Sequence, residues 1–302
     1  MFAVTILGNN SAIPTPDRHP TSQVITYNDQ LILVDCGEGT QMQLQRYKIK
    51  RGRIRHIFIS HLHGDHYFGL IGLINSMSLL GRIEPLSVYG PPELEEILQI
   101  QLHVAATTLN FELNFHPLLP GQTGIVLKEK EMEVSFFPTR HRIPCYGFSF
   151  SLQRRKRRII PEQARIYEIP ASFYSKLQEG ADYERKDGKL VKNDWVTLPP
   201  PRAKRYVYCA DSIYDEDLVP HMREADIVYH ETTYLHDLSQ RAADRFHSTT
   251  VQAATLAKMA GAHRLLIGHF SSKYTELQPF LDETIPVFPK TELAIEGVTY
   301  LI

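Results

Sequence analysis

Residues 60–66 have the sequence Ser60-His61-Leu62-His63-Gly64-Asp65-His66, which concentrates imidazoles and a carboxylate in one short segment. These side chains bind first-row divalent metals. The apolar run 54–59 (IRHIFI) precedes them, so they follow the carboxyl end of a predicted strand. In an extended segment His61 and His63 point the same way, Asp65 continues the alternation, and His66 faces elsewhere. Ligands pointing two ways from one loop predict two adjacent metal ions.

The alternative for this segment is a surface loop that happens to be rich in histidine. We disfavour it because such a cluster is costly to desolvate without a metal. Polar residues also end other predicted strands, and the carboxyl ends of strands in a layered sheet commonly form a binding rim. Those residues are His141, Asp211, His230 or Glu231, and His269.

Length and composition indicate a globular protein. A chain of 302 residues with 43% apolar residues is one large α/β domain or two small ones. The net charge of −1 gives no global field for nucleic acid, so any RNA contact needs local basic runs, at 46–55, 154–158 and 202–205. The 3 separated cysteines are expected to be reduced, as in a cytosolic protein. Neither a signal peptide nor a membrane-spanning run is predicted.

The rest of the chain predicts strands and helices around this rim. Segments 23–27 and 31–35 predict a hairpin, and glycines at 37 and 39 let the backbone pass close to the metal loop. Asp35 is expected to orient a ligand histidine. Strands are predicted at 111–116 and 132–138 with a polar turn between them, and 293–296 and 298–301 are expected to close the sheet. Segment 154–201, rich in proline and charge, predicts an inserted arm with a short helix at 161–167.

The HxHxDH motif after an apolar strand is the signature of the metallo-β-lactamase superfamily, and within it the chain resembles the ribonuclease Z family of tRNA 3′ endonucleases. The resemblance rests on segments 143–148, 210–212, 230–233, 246–249 and 267–270 (IPCYGF, ADS, HETT, FHST and IGHF). It implies an α/β fold, the four-layer αβ/βα metallo-β-lactamase sandwich. It also implies a single domain over 1–302, with a substrate-binding arm at 154–201.

The resemblance further implies a two-zinc site. His61, His63 and His141 would bind one zinc, Asp65, His66 and His269 the other, and Asp211 would bridge them. Two zinc ions can hold a hydroxide at neutral pH and stabilise an in-line phosphoryl displacement. Asp65 would also act as the base, and His247, held by Glu231, would protonate the leaving 3′-oxygen. For His247 the alternative is a neighbour of a helix cap without chemistry.

Substrate binding is expected from basic side chains outside the metal loop. The predicted residues are Arg18, Arg154, Arg155, Lys156, Arg157 and Arg158. The chain departs from the family pattern at Pro16 and His19, where the family has a lysine and an asparagine. Segment 169–174 also lacks the family's Gly-Pro arm tip, which leaves open how the arm grips tRNA.

The expected partners are precursor tRNA and a second copy of the chain, in the cytoplasm. The expected activity is removal of the 3′ trailer with a 3′-OH left on the tRNA. Two alternative functions are compatible with the fold that the sequence predicts. A phosphodiesterase of a small substrate would use the same two metals, and the missing Gly-Pro tip favours it. An RNA-binding scaffold on an inactive core is disfavoured by the complete set of ligands.

Overall fold

A computed structural model describes residues 1–153 and 156–302. It divides into two compact units. Unit 1 comprises residues 1–126, 134–150 and 205–302, and unit 2 comprises 127–133 and 151–204. No helix within the described ranges is both long and apolar enough to cross a membrane.

The strands follow the chain in this order: β1 (Phe2–Gly8), β2 (Ser22–Tyr27), β3 (Gln30–Cys36), β4 (Ile54–Phe58), β5 (Leu86–Gly90), β6 (Leu113–Pro117), β7 (Gly124–Glu129), β8 (Met132–Thr139), β9 (Cys145–Leu152), β10 (Arg158–Ile159), β11 (Tyr183–Glu184), β12 (Leu190–Val191), β13 (Thr197–Leu198), β14 (Lys204–Cys209), β15 (Ile227–Glu231), β16 (Leu265–Gly268), β17 (Thr291–Leu293) and β18 (Thr299–Leu301).

The α-helices are α1 (Thr40–Arg46), α2 (Gly64–Tyr67), α3 (Leu70–Leu79), α4 (Glu93–Val104), α5 (Pro161–Ile166), α6 (Tyr174–Gln178), α7 (Asn193–Val196), α8 (Val219–Met222), α9 (Ser239–Asp244), α10 (Thr250–Met259) and α11 (Gln278–Thr284). Short 3-10 turns cover Arg51–Arg53, Ala171–Phe173, Glu216–Leu218 and His236–Leu238.

Two seven-stranded sheets carry the fold, with strand orders β18-β1-β2-β3-β4-β5-β6 and β17-β16-β15-β14-β9-β8-β7. In the first, β3 to β6 run parallel, and in the second β14 to β17 run parallel. Parallel strands end at the same edge, so the polar residues that follow them collect there. This arrangement brings together the predicted metal ligands that follow β4, β14 and β16.

Each sheet buries one face against helices and the other against the opposite sheet. In β4, Ile57 packs with α1, α3 and α4, whereas Phe58 contacts Phe148 of the second sheet with ring centroids 5.2 Å apart. In β14, Val207 packs with α8, α10 and α11, and Tyr208 points to the aromatic layer between the sheets. This alternation follows from the two-residue period of a strand. The four-layer αβ/βα sandwich predicted from the sequence is confirmed.

Three local predictions differ from the structure or gain detail. The predicted hairpin turns at Asn28 and Asp29, whose φ values of 43° and 66° place both in the left-handed region. The stretch between 117 and 132, predicted as a turn, contains strand β7. The two C-terminal segments do not close one sheet: β17 pairs with β16 in the second sheet and β18 with β1 in the first.

Unit 2 has a small apolar core of its own. Ile169, Leu177, Val191 and Val196 are buried together, and β10 pairs with β13 and β11 with β12. The helix predicted at 161–167 is confirmed as α5. Trp195 is half exposed and stacks on Tyr167 with centroids 6.0 Å apart, so it packs within this unit.

Two glycines allow the backbone to approach the metal loop closely. A Cβ at Gly37 would lie 2.4 Å from the Asp65 carbonyl oxygen, and one at Gly69 would lie 2.2 Å from the Gly37 carbonyl oxygen. The Gly69 amide also donates to the Cys36 carbonyl at 2.9 Å. The close approach expected at Gly37 is therefore confirmed, and it sets the position of Asp65.

We predict that Gly37→Ala displaces the metal loop. The added methyl group overlaps the Asp65 backbone, so the free energy of unfolding should fall by about 1–3 kcal/mol and zinc content should drop. Gly52→Ala is the matched control because no atom lies within 4 Å of its added Cβ. Thermal unfolding and metal analysis test this, and wild-type values for Gly37→Ala would contradict it.

Candidate metal centre

Four nitrogen and oxygen atoms form a first donor set. His63 Nδ1 lies 3.1 Å from both His61 Nε2 and His141 Nε2. Asp211 Oδ2 lies 3.7 Å from the His61 nitrogen and 3.9 Å from the His141 nitrogen. A tetrahedron with metal–ligand bonds of about 2.0–2.1 Å has edges of about 3.3 Å, close to these separations.

A second donor set is equally regular. His66 Nε2 and His269 Nε2 are 3.3 Å apart, and Asp65 Oδ2 lies 3.6 Å from the first and 3.4 Å from the second. Asp211 Oδ1 lies 3.4 Å from His66 Nε2 and 3.3 Å from His269 Nε2. The two carboxylate oxygens of Asp211 thus face one set each.

The donor atoms are arranged to bind metal ions, and at least one of them lacks a hydrogen-bond partner. Asp211 is only 2% exposed, and its Oδ1 is a buried oxygen without a hydrogen-bond partner. Burial lowers the pKa of His61, and so does neighbouring His66, which leaves its ring as a neutral donor. Lone pairs that converge in a buried site require a cation. The residues therefore fit two divalent ions bridged by Asp211.

The backbone conformation orients several of these side chains toward the donor sets. His63 precedes α2, so Asp65 and His66 lie in the first turn of a helix, and the predicted continuation of an extended alternation to Asp65 is wrong. Positive φ values of 53° at Asp35 and 60° at His269 turn the chain sharply where β3 and β16 end. Asp and His tolerate this region better than most residues.

Each imidazole whose Nε2 belongs to a donor set uses Nδ1 in a second hydrogen bond. His61 Nδ1 lies 3.0 Å from Ser60 Oγ and His141 Nδ1 donates to the Phe246 carbonyl at 2.9 Å. His269 Nδ1 lies 2.9 Å from Thr233 Oγ1. Such contacts fix the ring orientation and leave the Nε2 lone pair for the metal.

Asp35 is the acceptor that holds His66. Its carboxylate is fully buried and lies 2.8 Å from His66 Nδ1. It also accepts from the Ser60 amide at 2.7 Å, the Ser60 hydroxyl at 2.9 Å and the Tyr208 hydroxyl at 2.6 Å. Tyr208 belongs to the second sheet, so this carboxylate connects both sheets to the metal loop, as expected for an orienting group.

Glu231 holds His247 in the same way. The fully buried Glu231 carboxylate lies 2.9 Å from His247 Nδ1 and accepts from the Ser248 amide at 2.8 Å and the Thr233 hydroxyl at 2.8 Å. Burial lowers the pKa of His247, but Glu231 more than offsets this and raises it to about 9. His247 Nδ1 is only 3.8 Å from Asp211 Oδ2, so a protonated imidazole lies beside the donor sets.

The donor sets open into a cleft of about 580 Å³. Its lining includes the exposed apolar side chains of Ile13, Pro14 and Phe68. The polar lining includes residues of both donor sets and the candidate acid: His63, Asp65, Asp211, His247 and His269. Such a concave site with convergent polar groups accommodates a substrate.

Comparisons with known proteins decide the family. A protein named "Ribonuclease Z" from Bacteroides fragilis is 40% identical to this chain over 98% of both chains. Another from Porphyromonas gingivalis is 41% identical over 98% of this chain and 97% of its own. This chain belongs to the ribonuclease Z family. The endoribonuclease activity in tRNA 3′ processing predicted from the sequence is therefore confirmed.

Structural comparisons agree with this assignment. The short form of human tRNase Z superposes with a TM-score of 0.73 at 28% identity, over 99% of both chains. The metallo-β-lactamase fold protein YhfI from Bacillus subtilis gives 0.70 at 20% identity, which supports the fold alone. The family model described as Anti-Pycsar protein Apyc1 matches residues 2–161, a region that ends before Asp211 and His269. The predicted metallo-β-lactamase fold is confirmed.

The predicted substrate residues of this ribonuclease Z family member are not among the residues that line the cleft in unit 1. Arg18 does not line it, and its guanidinium donates to the Tyr274 carbonyl at 2.5 Å. Lys156 and Arg158 are exposed in unit 2, and Arg157 pairs with Asp194. Arg154 and Arg155 lie outside the described residues. The roles of all these residues in binding RNA remain predictions.

Sequence reasoning missed two kinds of site residue. Thr233 connects Glu231 to His269, but its place in the HETT segment indicates no role for it. Arg142, Arg241 and Arg245 line the cleft and were not considered. The sequence signal for them was proximity to site residues: Arg142 follows His141, and Arg245 precedes His247 by two residues.

We predict that Asp35→Asn weakens zinc binding about 10–100-fold, because the amide nitrogen would face donors that now share a carboxylate. Competition with a chromogenic chelator measures this. Tyr208→Phe is the control, since it removes one donor and keeps the carboxylate. Wild-type zinc affinity in Asp35→Asn would show that Asp35 does not orient His66.

Proposed function

We propose that this enzyme removes the 3′ trailer of precursor tRNA by hydrolysing one phosphodiester bond at the two donor sets, leaving a 3′-OH on the tRNA. The observation that carries the proposal is the pair of near-tetrahedral sets that share Asp211, with the His247–Glu231 pair 3.8 Å away. Such a pair supplies both ends of an in-line displacement.

We assign zinc to both sets, two ions per subunit. The ligands are imidazole nitrogens and carboxylate oxygens in tetrahedral arrangement, which zinc favours. When bound, the ions lower the pKa of water toward about 7 and stabilise charge on the phosphoryl oxygens. His61, His63 and His141 would hold one ion, Asp65, His66 and His269 the other, and Asp211 both.

Asp65 is the proposed base. Its Oδ2 accepts from the Ala12 amide at 2.7 Å, and its pKa is lowered by His66 although burial opposes this. The carboxylate is thus ionised at neutral pH. It accepts the proton of the attacking water and orients that water towards phosphorus.

His247 is the proposed acid. Because Glu231 engages Nδ1, the second ring nitrogen is left to face the cleft, and the raised pKa keeps the ring protonated at neutral pH. It gives its Nε2 proton to the departing ribose 3′-oxygen as the phosphorus–oxygen bond breaks. Glu231 positions the ring and stabilises its positive charge.

We assign residues 154–201 to the tRNA-binding arm of a single domain that spans 1–302. The small core of Leu177, Val191 and Val196 supports an element with its own structure. The exposed Lys156 and Arg158 support contacts with phosphates, which depend on salt.

We further propose a homodimer in the cytoplasm. Apolar side chains exposed at the end of α3 and along α4 (Leu79, Leu80, Ile100 and Val104) support self-association. The unbridged cysteines at 36, 145 and 209 support a reducing compartment.

A small-molecule phosphodiesterase is the second candidate. It is favoured by Pro16 in place of the family's lysine and by an arm segment, 169–174, without Gly-Pro. Both candidates use the same donor sets, so metal content alone does not separate them.

Cleavage of a precursor tRNA with a 3′ trailer separates the candidates, with a chromogenic diester assayed in parallel. We predict one cut, directly after the discriminator nucleotide, abolished by chelator and by Asp65→Ala. Turnover of the diester without any cut in the precursor would select the small-molecule phosphodiesterase.

We predict that His247→Ala slows cleavage about 10²–10⁴-fold because the leaving oxygen loses its proton donor. Zinc content should stay at the wild-type level. Glu231→Gln should slow cleavage less, since the ring remains but loses its charged partner. Loss of zinc from His247→Ala would instead make His247 a ligand and contradict the acid role.

A further inference from the structure

Three arginines line the metal cleft without an assigned role. Arg142, Arg241 and Arg245, here called the arginine rim, are exposed side chains in the wall of the cleft. Arg142 lies about 100 residues before Arg241 and Arg245 in the chain, so the fold must bring the two segments together. The fold therefore concentrates three guanidinium groups beside the donor sets.

The arginine rim belongs to the His247 side of the cleft. Arg241 lies over the Tyr234 ring at 5.7 Å, and the Tyr234 and His247 ring centroids are 6.3 Å apart. Arg245 precedes His247 by two residues. Arg142 follows His141, whose Nδ1 donates at 2.9 Å to the carbonyl of Phe246, the residue between Arg245 and His247.

These guanidinium groups have no ion-pair partner among the residues that the structure describes. Across residues 1–153 and 156–302, no carboxylate lies within ion-pairing distance of any of the three. Other arginines do pair, such as Arg264 with Glu292 at 2.6 Å. Unpaired guanidinium groups in a cleft are suited to phosphate, which they bind in a bidentate manner.

The proposed role of His247 determines which substrate phosphates lie near the arginine rim. His247 protonates the 3′-oxygen of the nucleotide that stays on the tRNA, so that nucleotide and its own 5′-phosphate lie on the His247 side. The attacking water approaches from the opposite, Asp65 side because the displacement is in line. The apolar cleft residues Ile13, Pro14 and Phe68 are uncharged, so they offer the phosphates no cation.

We propose that the arginine rim binds the acceptor-strand phosphates immediately 5′ of the cut and so aligns the leaving 3′-oxygen with His247. The inference rests on the proposed function and names the side of the substrate that this site holds. It also bears on Pro16, which stands where the resembled family pattern has a lysine, because the rim would supply cations from residues outside the loop 14–19.

The first test compares Arg241→Gln and Arg245→Gln with the wild type on a precursor tRNA at several salt concentrations. Each substitution should lower kcat/KM about tenfold, since a charged hydrogen bond is lost. The slope of log kcat/KM against log salt should become shallower by about one unit per lost phosphate contact. Arg223→Gln, an exposed arginine outside the cleft lining, is the control and should match the wild type.

Folding of each variant is checked by zinc content and thermal unfolding, so a loss of kcat/KM with two bound zinc ions reports on substrate binding. Unchanged kcat/KM and an unchanged salt slope in the double variant Arg241→Gln/Arg245→Gln would overturn the inference. A shallower slope in Arg223→Gln of the same size would also overturn it, because the effect would then follow net charge.

The second test locates the contact. A minihelix substrate carries one uncharged methylphosphonate at a 2′-deoxy position, either one phosphate 5′ of the cut or one phosphate into the trailer. We expect the 5′ replacement to slow the wild type about tenfold and to have little further effect on the double variant, because both remove the same contact. Coupling to the trailer phosphate instead would overturn the inference.

The outcomes separate this inference from the proposed function. If the wild type turns over a chromogenic diester but leaves every precursor uncut, the proposed function fails and the inference fails with it. If the wild type cuts after the discriminator nucleotide and the variants match it, only the inference fails.

Discussion

The structure depends on one electrostatic constraint, the burial of lone pairs that face one another. Asp211 points both carboxylate oxygens at imidazole nitrogens, and Asp65 adds a third oxygen 3.4 Å from His269 Nε2. Desolvating such groups costs several kcal/mol each unless a cation compensates. The parallel strand ends, the glycine contacts and the left-handed φ values at Asp35 and His269 all serve to bring these donors within ligand distance.

Two buried carboxylates then divide the chemistry. Asp35 holds His66 through Nδ1 and so leaves Nε2 for a metal. Glu231 makes the same contact with His247, but that ring faces the cleft beside Asp211, where it can give up a proton. Identical carboxylate–imidazole pairs thus produce a metal ligand in one place and an acid in the other. The surroundings of the second ring nitrogen decide the role.

Much of the centre was predictable because its signals are local. The HxHxDH motif after an apolar strand, and polar residues at later strand ends, indicated ligands that the fold brings together. The predictions that failed concern features that depend on contacts between distant parts of the chain. Strand β7 was missed because its residues GIVLKE lack a clear alternation of apolar and polar side chains. The separate pairing of β17 and β18 is a matter of topology, because the sheet that each short strand joins depends on long-range contacts that its local pattern does not encode.

The local conformation of the motif and the make-up of the cleft were harder to predict from the sequence. Asp65 was expected in an extended segment, yet the helix α2 begins at Gly64 and turns Asp65 and His66 toward the second donor set. The cleft arginines were missed because Arg142 and Arg245 are brought together only by the fold. Residues that are distant in sequence but line the same cleft are found only from the structure, whereas residues of one motif are found from the sequence.

The paired metal centre is the central claim, and anomalous diffraction at the zinc edge tests it most directly. The account predicts two peaks roughly 3.5–4 Å apart, one at each donor set, with the Asp211 carboxylate between them. A single peak in a zinc-saturated crystal, or two peaks that do not share Asp211, would contradict it.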